Sequence, residues 1–600
     1  MIKYTKSSEK GKVYMSSEFI ERPFKNEKDE AIKYISNLLN KAKNKNELYD
    51  AQNLEEVLRL LNSKKYGLVW EEHKEKVEEK LKTHIPVFKE DKERKINGMK
   101  NINDFNFLLE GDNLHSLYLL EKTHTNKIDL IYIDPPYNMG QKDFKYNDDY
   151  VDKDDNYYHS KWLSFMKSRL LMAKKLLTED GILAVSIDYH EGFQLKLLLD
   201  EIFGENNFAS DLHVETSAIA GPRRIAAMKG SIVKTTEYVL IYTKNSSKKV
   251  IKKPMYDKIE GFDSHYSKFL NSESGILENF TETLRRTKNI SDIFEKYNMK
   301  INLENLGKLV YLEKEVSDWL YDKSISANLF RIDKIFKDKS INLEKGLNIV
   351  NGKYVVFNTN GNPYYAFRYS ERIGDTSGFI ESFGERAVRG NLWKGFSSDG
   401  GNLKKEGSVD FKKGKKPLRL IKQLVMTLLG DKQDTIILDF FAGSGTTAHA
   451  VAALNKEDGG NRKYIICTNN ENNICEEVTY KRLENIQSDL PHNVKYFKTC
   501  FIEKELFPDI ELESELLKYI TPLVELEFTT DIKNPLYQII LSNEQLESLL
   551  ESNNIKSNSV LFMHPEVLLG REEKKMIKSL DVRIEEIPDY FFGKELWAND

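Results

Sequence analysis

Residues 128–137 read Ile128-Asp129-Leu130-Ile131-Tyr132-Ile133-Asp134-Pro135-Pro136-Tyr137. The apolar run predicts a strand, and the two prolines stop it at its carboxyl end. Outward from it, about Asn103 to Asn207 alternates strand and helix patterns. There is a turn at Gly111-Asp112-Asn113-Leu114 and a helix from about Tyr158 to Leu177, then a turn at Glu179-Asp180-Gly181 leading into a buried strand over Ile182 to Asp188. Such alternation predicts a parallel α/β sheet covered by helices.

The rhythm breaks after about Ala209 into basic clusters, tyrosines and glycines, and returns near Lys415 with a helix over Pro417 to Leu429. Thr435 to Asp439 then reads as a strand, and Phe440-Phe441-Ala442-Gly443-Ser444-Gly445-Thr446-Thr447 as a glycine turn opening a helix. A strand over Lys463 to Thr468 and a helix over Glu476 to Ile486 complete the sheet. One α/β domain interrupted by a long insertion explains this better than two unrelated domains. Residues from about 26 to 96 place Leu, Ile and Val at helical spacing among charges and predict a helical lead-in whose role is packing. No repeat at solenoid periods is present.

Composition bounds the chemistry. At 600 residues and 69.8 kDa the chain has room for several domains. Charged residues make up 31% and mean hydropathy is -0.54, and no apolar stretch approaches the roughly 20 residues that span a bilayer. The start, Met1-Ile2-Lys3-Tyr4-Thr5-Lys6, lacks a signal-peptide apolar region, so a cytoplasmic protein is expected. Cys467, Cys475 and Cys500 are too few and too irregular for a disulfide framework or a paired zinc site, so no metal is expected. A net charge of -4 gives no global nucleic-acid signature; contact with a polyanion has to come from local basic clusters.

Gly443 and Gly445 let a ligand approach the backbone, while the following helix presents free amides and its positive dipole end. A P-loop is disfavoured because no Gly-Lys-[Ser/Thr] follows at the required spacing. A dinucleotide site fits the loose glycine pattern equally well, and Glu471 beyond the next strand could bond ribose hydroxyls in either kind of nucleotide-like cofactor. The segment at 134–137 breaks the tie, because a dehydrogenase has no use for an amine clamp there. The amino nitrogen of adenine or cytosine is a poor nucleophile, its lone pair being delocalised into the ring. Asp134 can accept one N–H and the Pro135 carbonyl the other, turning the lone pair toward a methyl donor. Tyr137 would stack on the ring, which in duplex DNA means a base extruded from the helix. Methylation at cytosine C5 is disfavoured, since it needs a nucleophilic cysteine and no Pro-Cys pair occurs.

Asp134-Pro135-Pro136-Tyr137-Asn138 followed far downstream by Asp439 to Thr447 resembles the amino-methyltransferases of the β class. The specific resemblance is to the modification (Mod) subunits of type III restriction-modification systems. Leu109 to Leu114, Gly181 to Asp188, Thr236-Glu237-Tyr238-Val239-Leu240-Ile241-Tyr242 and Lys415-Lys416-Pro417 add to it. It implies a Rossmann-like S-adenosylmethionine-dependent sheet with a helical region over 1–100, a catalytic half over 101–208 and a target-recognition domain over 209–411. A cofactor-binding half over 412–489 and a mixed C-terminal region over 490–600 would follow. The implied activity is transfer of methyl from S-adenosylmethionine to N6 of a flipped adenine; a Ser at the first clamp position is the commoner mark of cytosine N4 enzymes. The implied catalytic residues are Asp134, Pro135, Pro136 and Tyr137. Cofactor contacts would come from Asp112, Asn113, Lys416, Asp439, Phe440, Phe441, Ala442, Gly443, Gly445, Thr446, Thr447 and Glu471, the last sitting slightly late for the family pattern. Arg223, Arg224, Lys248, Lys249, Arg285 and Arg286, with Lys252, Lys253 and Trp393, are candidates for contacts with double-stranded DNA. The resemblance also implies a homodimer and a nuclease-helicase (Res) partner. A solitary regulatory adenine methyltransferase, a cytosine N4 methyltransferase and a non-enzymatic DNA-binding specificity subunit that uses S-adenosylmethionine structurally stay open as alternatives.

Overall fold

The computed structural model describes residues 27–45, 70–99, 104–138, 157–245, 250–504 apart from 339, 359, 402, 404, 410, 412 and 413, and 509–588, with a few isolated positions in 50–58 and at 591. It divides into two compact units, one of Met1–Lys253 with Asp399–Asp600 and one of Pro254–Ser398.

The larger unit opens with α1 (Glu27–Asn44), α2 (Lys76–Thr83) and β1 (His84–Glu90). Next come β2 (Asn106–Glu110), α3 (Asn113–His124), β3 (Ile128–Ile133), α4 (Tyr158–Leu176), β4 (Leu177–Ile187) and α5 (Gly192–Phe203). Then follow β5 (Phe208–Glu215), α6 (Gly221–Met228) and β6 (Thr236–Thr243). After the second unit the chain resumes with α7 (Leu418–Leu429), β7 (Ile436–Asp439), α8 (Thr446–Asp458), β8 (Lys463–Thr468), α9 (Lys481–Asn485) and β9 (Asn493–Glu503). Within this unit the strands lie in the order β1-β9-β2-β8-β7-β3-β4-β6-β5. From β9 to β4 all neighbours are parallel, while β1, β6 and β5 join antiparallel.

Parallel strands of this kind are covered on both faces and so are apolar throughout. Ile128, Leu130, Ile131 and Ile133 in β3, and Leu183, Ala184, Val185 and Ile187 in β4, are all fully or almost fully buried. The chain leaves β3 toward β4 on one side, but leaves β7 toward β8 on the other. These two adjacent strands therefore form the switch point at whose carboxyl ends a crevice opens, the usual ligand position in open α/β sheets.

Four sequence expectations are corrected here. Glu179-Asp180-Gly181, expected as a turn before a strand, is an irregular stretch inside the longer strand β4, between pairings of Ile128 with Leu177 and Leu130 with Ile182. A Cβ at Gly181 would lie 2.9 Å from the Thr178 backbone, which is why glycine stands there. Residues 84–90, inside the expected helical lead-in, form an edge strand paired with β9, because His84-Ile85-Pro86-Val87-Phe88 buries both faces rather than a helical stripe. The expected helix over Glu476 to Ile486 begins as a π-helical segment, Ile474–Tyr480, and continues as α9. Residues 493–503, grouped with the C-terminal region in the sequence, are a strand of the catalytic sheet.

The second unit, Pro254–Ser398, is narrower than the insertion expected over 209–411, because β5 and β6 belong to the catalytic sheet. It contains a six-stranded sheet of mainly antiparallel pairings and a helical cluster over 280–326 whose core holds Phe280, Phe294, Leu306, Leu309 and Leu320. Beyond β9, Tyr537–Ile540, Val560–Met563 and Arg583–Glu586 form a small parallel sheet with two intervening helices.

Candidate active site

β3 carries Asp134 to the switch point and β7 carries Asp439 there. The loops that follow enclose a cavity of about 240 Å³ lined by Asp134, Pro135, Pro136, Tyr137, Lys416, Asp439, Phe441, Ala442, Gly443, Thr446 and Thr447. Tyr132, Asp188, Glu237, Phe411, Gly414 and Ser444 complete the wall.

The glycine loop is built by backbone conformation. Gly443 at φ 47° and Gly445 at φ 75° occupy the left-handed region that side chains rarely adopt, and Gly445 caps α8. The Gly445 amide donates to the Ala442 carbonyl at 2.7 Å, and Ala442 in turn donates to Cys467 in β8 at 3.0 Å. Asp439 serves the loop as well. One carboxylate oxygen accepts the Phe441 amide at 3.0 Å and the other the Thr447 hydroxyl at 2.5 Å. Burial nevertheless dominates and pushes its carboxyl up to about 7, with these two hydrogen bonds opposing. At Gly443 a Cβ would meet nothing nearer than the Phe441 carbonyl at 3.9 Å, so the loop leaves open space beside its backbone.

On the opposite wall the prolines fix the strand end, and the Trp162 indole donates to the Pro136 carbonyl at 2.9 Å, holding the segment on α4. Lys416 stands at the centre. Its ammonium donates to Glu237 and to the Tyr137 hydroxyl, both at 2.6 Å, and lies 3.3 Å from Asp134 Oδ1. Burial works against this charge, but Asp134 and Glu237 outweigh it and the ammonium is held above its ordinary range. Glu237 feels the same burial, yet Lys416 keeps its carboxyl below the ordinary value. Asp134 shows the other balance. Burial raises its carboxyl from 3.8 to about 6, Lys416 only partly offsetting it and Glu237 adding repulsion. Asp134 Oδ1 is buried, with the Lys416 ammonium at 3.3 Å as its charged neighbour and no well-directed hydrogen bond to it among the described residues. A carboxylate offers more lone pairs than one ammonium fills, so the remaining acceptor capacity is open to a ligand N–H. Tyr137 is buried at the cavity wall, and burial keeps its phenol protonated.

Several expected residues lie outside the cavity lining. Asp112 caps α3, accepting the Leu114 amide at 2.8 Å, and pairs with Arg169 at 3.3 Å. Asn113 accepts from Arg169 at 2.5 Å and donates to the Phe440 carbonyl at 2.9 Å, so it braces the glycine loop from behind. Phe440 is fully buried, and Gly445 faces Thr479, whose methyl would meet an added Cβ at 3.2 Å. Glu471 sits at the start of a short 3-10 turn.

Three supports have no clear mark in the sequence. Glu237 carried a signal only as part of Thr236 to Tyr242; nothing local marks it as the partner of a lysine 179 residues away. Arg482, fully buried, donates to the Thr446 hydroxyl at 2.7 Å and to Ser444, while Thr479 donates to the Gly443 carbonyl at 2.5 Å. The loop is thus clasped from the π-helical segment and α9, an irregularity frequent at functional sites.

The basic candidates separate. Arg223 and Arg224 are exposed on α6, whereas Arg285 and Arg286 pair with Glu282 and Glu278 at 2.5 and 3.1 Å. Lys253 pairs with Asp431 at 3.0 Å, the Lys252 amide donates to the Thr427 carbonyl at 2.8 Å, and Trp393 is buried. Lys248 and Lys249 lie outside the described residues. No group of three or more His, Cys, Asp or Glu side chains suited to a metal occurs among the described residues.

The residues present fit a nucleotide-like cofactor: the open face at Gly443, the amino end of α8 and the cradle of Phe441 and Ala442 would hold it. A family model described as DNA methylase matches residues 128–480. The chain is similar to a type II methyltransferase, M.KpnI, of Klebsiella pneumoniae, at 33% identity over 62% of this chain and 82% of that protein. It is also similar to the Mod subunits of two type III restriction-modification enzymes. One is EcoPI of Escherichia phage P1, at 31% identity over 62% of this chain and 58% of that protein; the other is StyLTI of Salmonella typhimurium, at 29% identity over 65% and 57%. The chain spans less than two thirds of the length of these type III relatives.

Proposed function

Because the chain belongs to the family of DNA methylases, we propose that it methylates N6 of adenine in duplex DNA with S-adenosylmethionine, as the modification subunit of a type III system. The observation that carries this reading is the buried carboxylate of Asp134, faced by the Lys416 ammonium at 3.3 Å and still able to accept from a ligand, across one cavity from the glycine loop. When bound, the cofactor supplies an electrophilic methyl group on a sulfonium. Everything else falls to the chain. Asp134 accepts an amino N–H and, with the Pro135 carbonyl, turns the nitrogen lone pair toward the methyl group. As the nitrogen becomes positive, the carboxylates of Asp134 and Glu237 stabilise it. Lys416 holds Tyr137 and Glu237 in place and keeps Asp134 ionised near neutral pH. The flipped base stacks in the cavity, replacing part of the stacking lost in the duplex.

The type III assignment rests on the names of similar proteins, and with it come a homodimer, a nuclease-helicase partner and recognition by the second unit. The similarity to M.KpnI favours a second reading, a methyltransferase that works without such a partner. Modification-sensitive sequencing of DNA from cells expressing the chain tests the chemistry. N6-methyladenine on one strand of a short asymmetric site is expected; N4-methylcytosine or unmodified DNA would overturn it. Co-purification of a nuclease-helicase separates the two assembly readings.

A further inference from the structure

Between β5 and β6 the chain makes an excursion, residues 216–235, that leaves the catalytic sheet and returns to it. Its root is fixed: the Thr216 and Ser217 amides donate to the Thr235 carbonyl at 3.0 and 3.2 Å, and the Thr216 side chain bonds Glu237 in the cavity wall. Its far side is open. Ile219, Ile225, Met228 and Ile232 are 53%, 56%, 77% and 97% exposed, an arrangement that water penalises. The same twenty residues hold Arg223, Arg224, Lys229 and Lys234 and no acidic residue. Lys234 lies 2.9 Å over the ring of Tyr189, the neighbour of the cavity residue Asp188, so the excursion rises from the rim of the site.

Apolar tips flanked by unopposed cations match a stacked, polyanionic duplex. Phosphates take the cations, and an aliphatic side chain fills the gap between base steps. Resting on the proposed adenine methylation, we propose that residues 216–235 enter the duplex beside the target and occupy the space the flipped base vacates, with Ile225 and Met228 as the wedge and Arg223 and Arg224 on the flanking phosphates.

The test uses the full chain and duplexes carrying the site found by sequencing. One duplex is fully paired; in the other the target adenine faces an abasic position and is already unstacked in part. Single-turnover methylation by Ile225→Ala/Met228→Ala should fall about 10-fold or more on the paired duplex and less than about 3-fold on the abasic one, because flipping costs least where pairing is already lost. Arg223→Gln/Arg224→Gln should weaken binding to both and flatten its salt dependence. Equal losses on the two duplexes, or none, would overturn the wedge. So would loss of binding to anionic vesicles with DNA kinetics unchanged, which would make the segment a membrane-surface element. If the unmutated chain methylates neither duplex, the adenine assignment itself fails and the wedge with it.

Discussion

Asp134→Asn should make the protein more stable while abolishing its chemistry. The carboxyl of Asp134 is raised from 3.8 to about 6, chiefly by burial. A native value above the unfolded one means that the native state binds the extra proton between these limits, so stability falls as pH rises through that window. Two pH units correspond to about 3 kcal/mol. This is the upper bound on what the ionised side chain costs above pH 6, since the side chain keeps 19% of its surface exposed to the cavity. Asparagine mimics the neutral acid in shape. At pH 8 the variant should therefore exceed the parent by about 1 to 3 kcal/mol in urea unfolding, and the difference should vanish below about pH 4. Methyl transfer should show the complementary profile in the parent, falling about tenfold for each pH unit below 6 as the acceptor is protonated, and be absent in the variant at every pH. A variant no more stable than the parent at pH 8, together with a flat parental rate from pH 5 to 8, would refute the idea that this carboxylate is held ionised at a cost.

Gly443→Val puts a β-branched residue at φ 47° and a side chain into the open face of the loop, so calorimetry should show S-adenosylmethionine affinity reduced at least about 100-fold while the fold persists by circular dichroism. Arg169→Met removes the guanidinium that lies 2.6 Å from the buried Glu75 carboxylate, and should lower stability in chemical denaturation by about 3 to 5 kcal/mol; a loss below about 1 kcal/mol would show the brace to be dispensable. Exchanging Pro254–Ser398 for the corresponding unit of a relative should transfer the relative's methylation motif, read by sequencing, while an unchanged motif would place recognition in the catalytic unit.

What was legible in the sequence was what periodicity and turn chemistry write locally. Ile128 to Ile133, Lys463 to Thr468 and the helix from Tyr158 appear where their apolar patterns place them, and the glycine loop follows from two residues without side chains. What escaped depended on distant partners. His84 to Glu90 became a strand because β9 offered an edge to pair with, and Glu237 became a wall of the site because β6 packs antiparallel against β4. Arg482 reads locally as a surface cation on an amphipathic helix. Only the folded chain turns it inward beneath Ser444 and Thr446.

The adjacency of β3 and β7 bears on how this protein is made. Asp129 in β3 accepts the amide of Ile436 in β7, a partner 307 residues later. At roughly 5 to 20 residues per second on the ribosome, the clamp strand waits on the order of half a minute before the strand carrying the cofactor loop is even synthesised. During that interval the edge of β3 that β7 will cover has no mate in the chain, while Pro254–Ser398, a compact unit of its own, can already collapse. On the proposed function, the nascent polypeptide thus carries the 134–137 segment well before the glycine loop exists, and a complete site forms only late in synthesis.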